Sequence, residues 1–221
     1  MVRAGDRPNA QALRLAVTPQ SPSPSAVAQA ASVLRSGGLV AFPTDTLYAL
    51  GADASNPLAV ERVFEAKGRS LIKPIPLLVA DLTMAIQLVG ELPEAAVRLA
   101  ERWWPGPLTL VVTAPRTVCA LLTAETGRIG LRVPDSAVAL ALIRQFGGPV
   151  TGTSANRSGQ KDPMNAYEVL HQLGDQVDLV LDGGPVVGGS PSTVIDVTTD
   201  PPIIMREGPI RQEEILSVLE R

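Results

Sequence analysis

The residues best suited to chemistry are cationic side chains that interrupt the apolar segments of this 221-residue chain: Lys67, Arg69, Lys73, Arg128, Arg132 and Arg206. Three of them fall within residues 67–73, a density of positive charge that suits a polyanion such as a triphosphate. Lys67 also continues the apolar stripe of Val60, Val63 and Phe64, and a buried ammonium requires a cleft or a partner. A helix C-terminus stabilised by cations is the simpler alternative.

Small hydroxyl and amide side chains follow several predicted strands. Thr44, Thr46 and Tyr48 come directly after one strand, where ligands of open α/β sheets bind. The run Thr151-Gly-Thr-Ser-Ala-Asn-Arg-Ser-Gly159 ends another strand and could form an anion-binding nest or a cluster of helix caps. Ser192 precedes a strand near the C-terminus.

Arg128 and Arg132 occupy alternate positions of one predicted strand and therefore share a face, with Gly130 between them. Glycine in a strand allows a ligand to approach the backbone, so this face is a candidate binding surface. A solvated strand face is the alternative interpretation.

The remaining composition excludes several kinds of catalyst. Cys119 and His171 are the only cysteine and histidine, and neither falls in the polar clusters, so an activated protein nucleophile is not expected. No P-loop, dinucleotide-binding or zinc-protease motif occurs. Cations, hydroxyls and amides instead suit the binding of an anionic substrate and the stabilisation of charge on a transferring phosphoryl group.

Charge and hydropathy restrict the partners. The chain has 19 Lys and Arg against 22 Asp and Glu, and aromatic residues make up 3%. Both values disfavour a dedicated nucleic-acid binder, which usually has a basic excess and stacking aromatics. No apolar run reaches the roughly 18 residues of a membrane helix, and no secretory signal is visible. A soluble cytoplasmic protein is expected.

Short aliphatic segments alternate with amphipathic ones, which predicts an α/β fold. Strands are predicted at 39–42, 75–79, 108–113, 129–133, 150–153, 179–181, 193–197 and 203–205, and helices at 26–35, 58–67, 82–89, 94–103, 136–146, 166–173 and 212–220. The last strands follow one another without a helix, so the central sheet should be mixed. Residues 1–25 are predicted to be a flexible lead-in and residues 26–221 a single catalytic domain.

Several motifs occur in the order typical of the YrdC family, the threonylcarbamoyl-AMP synthases, and the chain resembles that family from about residue 26 to about residue 210. They are Pro43-Thr-Asp-Thr-Leu-Tyr48, Lys67-Gly-Arg69, Lys73-Pro74, Arg132-Val-Pro134, Ser154-Ala-Asn156-Arg-Ser-Gly159, Ser192-Thr-Val194 and Arg206-Glu-Gly208. The resemblance implies an open, twisted, mixed sheet flanked by helices, with a concave basic cavity.

The resemblance also implies a reaction: L-threonine, bicarbonate and ATP, with Mg2+ accompanying the nucleotide, give L-threonylcarbamoyl-adenylate and pyrophosphate. The product would supply N6-threonylcarbamoyladenosine in tRNAs that read ANN codons. A separate tRNA threonylcarbamoyl transferase complex would perform that last step, and tRNA itself would bind at most weakly.

The implied roles divide the motif residues into two sets. Those expected to bind L-threonine are Thr44, Thr46, Tyr48, Arg132, Ser154 and Ser192. Those expected to bind ATP are Lys67, Arg69, Lys73, Arg128, Asn156, Met164 and Arg206, with Arg128 and Met164 acting through backbone atoms. The catalytic set would be Lys67, Arg69, Ser154 and Asn156, and no dedicated metal ligands are expected. Which of Thr44 and Thr46 contacts threonine stays open.

Three positions depart from the family pattern. Ala49 stands where glycine is usual, Leu78 where many members have a histidine near threonine, and Met164 where Thr or Ser is common. Two other functions remain to be tested: an RNA-binding module that uses the same cations without catalysis, and a carbamoyl-adenylate synthase for another substrate.

Overall fold

A computed structural model describes residues 12–220 as two mixed β-sheets flanked by helices. Within these residues the strands are β1 (Leu13–Ala16), β2 (Val40–Pro43), β3 (Tyr48–Gly51), β4 (Leu77–Leu78), β5 (Leu108–Thr113), β6 (Arg128–Arg132), β7 (Val150–Thr151), β8 (Thr153–Ser154), β9 (Leu179–Asp182), β10 (Thr193–Asp196) and β11 (Ile203–Arg206). The helices are α1 (Pro24–Arg35), α2 (Pro57–Lys67), α3 (Leu82–Val89), α4 (Glu94–Trp103), α5 (Ala120–Thr123), α6 (Ala137–Phe146), α7 (Ala166–Leu173) and α8 (Gln212–Leu219).

The first sheet has the strand order β1-β9-β2-β3-β8 and the second the order β11-β10-β5-β6-β4-β7. Both contain parallel and antiparallel pairs: β2 is parallel to β9 but antiparallel to β3, and β5 is parallel to β10 but antiparallel to β6. The predicted α/β class and mixed pairing are confirmed. The expectation of one open sheet is corrected to two, because the aliphatic segments do not reveal which strands become neighbours.

The predicted flexible lead-in is wrong for its second half. Leu13–Ala16 forms β1, which pairs in parallel with β9 at the edge of the first sheet. The rest of the prediction for residues 1–11 lies outside the described residues. A four-residue strand with mostly exposed side chains carries no clear alternation, so the pairing that orders it is invisible in the sequence.

Local sequence determines the helix ends well. The Asn56 side chain accepts hydrogen bonds from the backbone N–H groups of Leu58 and Ala59, and Pro57 occupies the first turn of α2. Gly68 ends that helix in the left-handed conformation, with φ of 57°. The cap fixes where α2 ends. It therefore fixes the positions of Lys67, the last residue of the helix, and of Arg69, which follows the cap.

Aliphatic side chains fill the interior, as the small number of aromatic residues indicates. Tyr48, Phe42 and several leucines are the largest side chains that are fully buried. The apolar stripe of α2 lies in this core, and Lys67 at its end is only 3% exposed. None of the helices formed by residues 12–220 has the length and apolarity needed to cross a membrane.

Candidate active site

One cavity of about 210 Å3 lies between the two sheets and collects polar side chains from both. The polar and charged residues on its wall are Thr44, Thr46, Tyr48, Arg69, Thr109, Arg132, Thr153, Ser154, Asp162, Ser192 and Arg206. They come from segments separated by as many as 162 positions in the sequence, so the fold alone brings them together. Leu78, Pro76 and Ala49 supply apolar surface.

The turn from β2 to β3 presents two threonine hydroxyls that are not equivalent. Thr44 Oγ1 donates to the carbonyl of Leu47 at 2.7 Å and accepts from the backbone N–H groups of Thr46 and Leu47, each at 3.2 Å. Its hydrogen-bonding capacity is used within the turn. Thr46 Oγ1 lies 3.0 Å from Thr44 Oγ1 and accepts from Arg132 at 2.9 Å, so its hydroxyl hydrogen is the one that can turn to a ligand.

Arg132 is the last residue of β6, and its guanidinium donates hydrogen bonds to this turn. Its Nε donates to the carbonyl of Gly106 at 2.9 Å, Nη1 to Thr46, and Nη2 to the Asp45 carboxylate at 2.5 Å. Of its five N–H groups, these contacts within residues 12–220 use three. Burial lowers the pKa of Arg132, and the adjacent Asp45 carboxylate opposes that effect.

Across the cavity, Ser192, Thr109 and Arg206 form a second polar group. Ser192 Oγ lies 2.8 Å from Thr109 Oγ1, and Arg206 donates to the Ser192 carbonyl through Nε at 3.0 Å and Nη2 at 2.8 Å. Burial lowers the pKa of Arg206. Pairing of β10 with β5 and β11 places these residues at one end of the second sheet.

Lys67 lies beneath the loop after β8 rather than on the cavity wall. Its ammonium donates to the backbone carbonyls of Ser154 and Asn156, the latter at 2.8 Å, and to Asn156 Oδ1 at 3.0 Å. Ser154 Oγ donates to the same Asn156 Oδ1 at 2.7 Å. The Lys-x-Arg and Ser-x-Asn motifs are therefore joined directly: Lys67 positions the segment that carries Ser154 and Asn156.

The electrostatics of the two motif cations differ. Burial, and to a lesser extent the charge of Arg69, lower the pKa of Lys67 to about 7, while the charge of Asp162 partly opposes the shift. Arg69 is held by the carbonyls of Lys73 at 3.2 Å and Pro74 at 2.9 Å, and burial lowers its pKa. Arg69 thus presents the charge to the cavity, whereas the three oxygen atoms around Lys67 consume its donors.

The hydroxyl of Tyr48 is engaged in hydrogen bonds within the protein. Its phenol donates to the Gly184 carbonyl at 2.7 Å and accepts from the Gly183 N–H at 3.2 Å. Burial, reinforced by Asp182, raises the pKa of Tyr48. The residue fixes the glycine-rich segment after β9 against the β2–β3 turn and lies on the cavity wall.

Several predicted site residues lie elsewhere. Lys73 is exposed, and Arg128, at the opposite end of β6 from Arg132, pairs with Asp196 at 2.6 Å. The backbone N–H of Met164 donates to Glu168 at 2.7 Å, and its carbonyl accepts from Val186. None of the three lines the cavity, so their assignment to ATP stays a prediction.

The proposed ligand approach at Gly130 is wrong. A Cβ added there would lie 3.0 Å from both Pro76 Cβ and Thr109 Cγ2, so protein atoms occupy the space. The glycine permits close packing of β6 against its neighbours.

Sequence reasoning missed Asp45, Thr109 and Asp162. Thr109 looks like an ordinary residue of an aliphatic strand, and Asp162 is an isolated charge in a loop. Asp45 lies between the two threonines of the Pro43–Tyr48 motif. Its acidic side chain is the signal in the sequence that could have indicated a partner for an arginine. Within residues 12–220, no group of three or more His, Cys, Asp or Glu side chains is placed to hold a metal ion.

Comparison with known proteins shows the family to which the chain belongs. The sequence model of the Sua5–YciO–YrdC family, described as "Telomere recombination", matches residues 32–208. The chain belongs to this family. It is 42% identical over 194 residues to threonylcarbamoyl-AMP synthase of Bacillus subtilis, a match that covers 87% of this chain and 56% of that protein. The chain thus spans little more than half of that relative's length.

Two solved structures of the Sua5–YciO–YrdC family resemble the fold closely. The crystal structure of Pyrococcus abyssi Sua5 complexed with L-threonine superposes with a TM-score of 0.90 at 38% identity, covering 94% of this chain and 61% of that one. The crystal structure of Escherichia coli YciO gives a TM-score of 0.85 at 30% identity, covering 92% of this chain and 99% of that one. The YrdC resemblance and the predicted mixed α/β fold flanked by helices are confirmed.

Proposed function

We propose that this protein synthesises L-threonylcarbamoyl-adenylate from L-threonine, bicarbonate and ATP, with release of pyrophosphate. The observation that carries the proposal is one shared cavity whose wall carries Arg132, Thr46 and Ser192 together with Arg69 and Arg206. A relative in Bacillus subtilis is named threonylcarbamoyl-AMP synthase, and the Pyrococcus abyssi Sua5 structure contains L-threonine. Both names agree with the chemistry of the cavity.

The amino-acid end of the cavity is defined by Arg132. Two of its N–H groups are not used in its contacts within residues 12–220, and they can donate to the threonine carboxylate. The planar guanidinium matches the geometry of a carboxylate. Thr46 is the better candidate for direct contact with the substrate, because the turn uses the Thr44 hydroxyl. Ser192 and Thr109 offer further hydroxyls on the facing wall.

The phosphate end is defined by Arg69 and Arg206. At about 210 Å3 the cavity is smaller than the roughly 300–1,000 Å3 of typical drug-sized ligand sites. It suits an amino acid and part of a triphosphate, with the nucleoside extending outward. Mg2+ enters with ATP as part of the substrate, held largely by phosphate oxygens.

The reaction needs no protein nucleophile. The threonine amine adds to bicarbonate and loses water to give a carbamate, and a carbamate oxygen then attacks the α-phosphorus while the bond to pyrophosphate breaks. The protein aligns the two substrates and stabilises the charge of the leaving group with Arg69, whereas Lys67 keeps Ser154 and Asn156 in position. The product would be consumed by a separate tRNA threonylcarbamoyl transferase complex.

The test is pyrophosphate release measured with each substrate omitted in turn. We expect release only when L-threonine, bicarbonate and ATP are all present. Arg69→Gln should abolish it, whereas Arg116→Gln, which removes an exposed arginine outside the cavity, should not. Equal ATP turnover without threonine would refute the proposal, and activity with carbamoyl phosphate in place of threonine would favour a different carbamoyl-adenylate synthase.

A further inference from the structure

Asp162 is the acidic side chain on a cavity wall that also carries Arg69, Arg132 and Arg206. Among residues 12–220 its carboxylate makes no hydrogen bond or ion pair, although its charge acts on both Lys67 and Arg206. A carboxylate facing a cationic cavity without a direct partner has acceptor oxygens available for a ligand.

The backbone around Asp162 is fixed, so the carboxylate is held at the cavity. Asn156 Nδ2 donates to the Gln160 carbonyl at 2.7 Å, and Gln172 donates to the Lys161 carbonyl at 2.9 Å. On the other side, the Tyr48 N–H donates to the Pro163 carbonyl at 3.1 Å. The contacts of Asn156 and Tyr48 tie this loop to the Lys67-bound segment and to the β2–β3 turn.

If a triphosphate occupies this cavity, as the proposed function requires, its oxygens approach a fixed negative charge. Like charges in a partly buried site repel, and the repulsion is removed when a divalent cation lies between them. Mg2+ takes oxygen ligands, and in nucleotide sites it is held by one or two carboxylates together with substrate phosphates.

We propose that Asp162 contacts the Mg2+ that ATP carries into the cavity and thereby makes this protein select Mg·ATP over metal-free ATP. This inference rests on the proposed function. Asp162 is assigned a positioning role toward the metal–nucleotide pair, separate from the arginines that face the phosphates directly.

The experiment compares the wild type with Asp162→Asn, which keeps the shape of the side chain and removes its charge. Asp175→Asn is the matched control, since Asp175 is exposed and does not line the cavity. Isothermal titration calorimetry measures binding of ATP in excess Mg2+ and of ATP in the presence of EDTA, and thermal unfolding checks that each variant is folded.

We expect the wild type and Asp175→Asn to bind Mg·ATP more tightly than metal-free ATP. In Asp162→Asn, binding of Mg·ATP should weaken and binding of metal-free ATP should strengthen, so that the ratio of the two affinities falls by about tenfold. An unchanged ratio in a folded Asp162→Asn protein that still binds Mg·ATP would overturn this inference alone. Failure of the wild type to bind ATP in either form would overturn the proposed function and this inference together.

Discussion

Replacing Lys67 with Met tests whether the ammonium holds the Ser154–Asn156 segment in place. Met keeps most of the buried aliphatic stem and removes the donor of three hydrogen bonds. A hydrogen bond to a charged group contributes about 1.5–3 kcal/mol. Burial of the ammonium offsets that sum, as the lowered pKa of Lys67 indicates, but removal of the donor also leaves buried oxygen acceptors without a partner, at a cost of about 1–3 kcal/mol. We therefore expect a net loss of about 2–3 kcal/mol in the free energy of unfolding, or about 5–10 °C in Tm.

The loss of activity should exceed the loss of stability. Ser154 and Asn156 would no longer be fixed beside the cavity, and a misplacement of about 1 Å in a catalytic site can reduce the rate by about a hundredfold. Pyrophosphate release by folded Lys67→Met should therefore fall at least that far. Lys161→Met is the matched control, since Lys161 is exposed on a neighbouring loop and should retain activity.

The result that would refute this reasoning is a Lys67→Met protein with the wild-type Tm and the wild-type rate. A stable but inactive variant would support a direct role of Lys67 at the phosphates over the positioning role inferred from its three contacts.

Three further predictions concern the same cavity. Because burial lowers the pKa of Lys67 to about 7 while the unfolded chain keeps a value near 10.5, the unfolded state binds more protons between these pH values. The free energy of unfolding should therefore rise with pH over that range. Denaturant titrations at several pH values should find that it rises less steeply with pH in Lys67→Met than in the wild type, and equal pH dependence of the two proteins would contradict the pKa shift. Thr44→Val should lower the unfolding free energy by about 1–3 kcal/mol by breaking the turn, whereas Thr46→Val should weaken threonine binding measured by calorimetry; the reverse pattern would exchange their roles. Arg132→Lys should weaken threonine binding about tenfold or more, because lysine cannot reproduce the planar fork or contact Asp45 and a carboxylate together, and unchanged affinity would argue against Arg132 as the carboxylate partner.

Features written in neighbouring residues could be predicted from the sequence. The ends of α2 follow from Asn56, Pro57 and Gly68, and the Ser136 side chain accepts from the backbone N–H of Ala139 where α6 begins. The buried position of Lys67 also follows from the apolar stripe that precedes it.

Features that depend on which strands become neighbours could not be predicted. Strand β3 follows a polar turn and shows no clear alternation of apolar and polar residues. It is ordered by pairing with β2 and with β8, whose residue Ser154 is distant in the sequence. Arg128 and Arg132 alternate on one strand, yet the five-residue length of β6 places them at opposite ends. Asp162 lies on the cavity wall because hydrogen bonds join its loop to segments that are distant in the sequence. No local sequence pattern indicates those hydrogen bonds.

The proposed reaction gives one product that joins parts of all three substrates. After incubation with ATP, L-threonine and isotopically labelled bicarbonate, the reaction mixture is quenched and separated by liquid chromatography with mass detection. We predict an adenylate whose mass contains threonine and one labelled carbon, absent when any substrate is omitted and absent with Arg69→Gln. Formation of ADP or AMP alone, with no labelled threonine adduct, would contradict the assignment of this cavity to threonylcarbamoyl-adenylate synthesis.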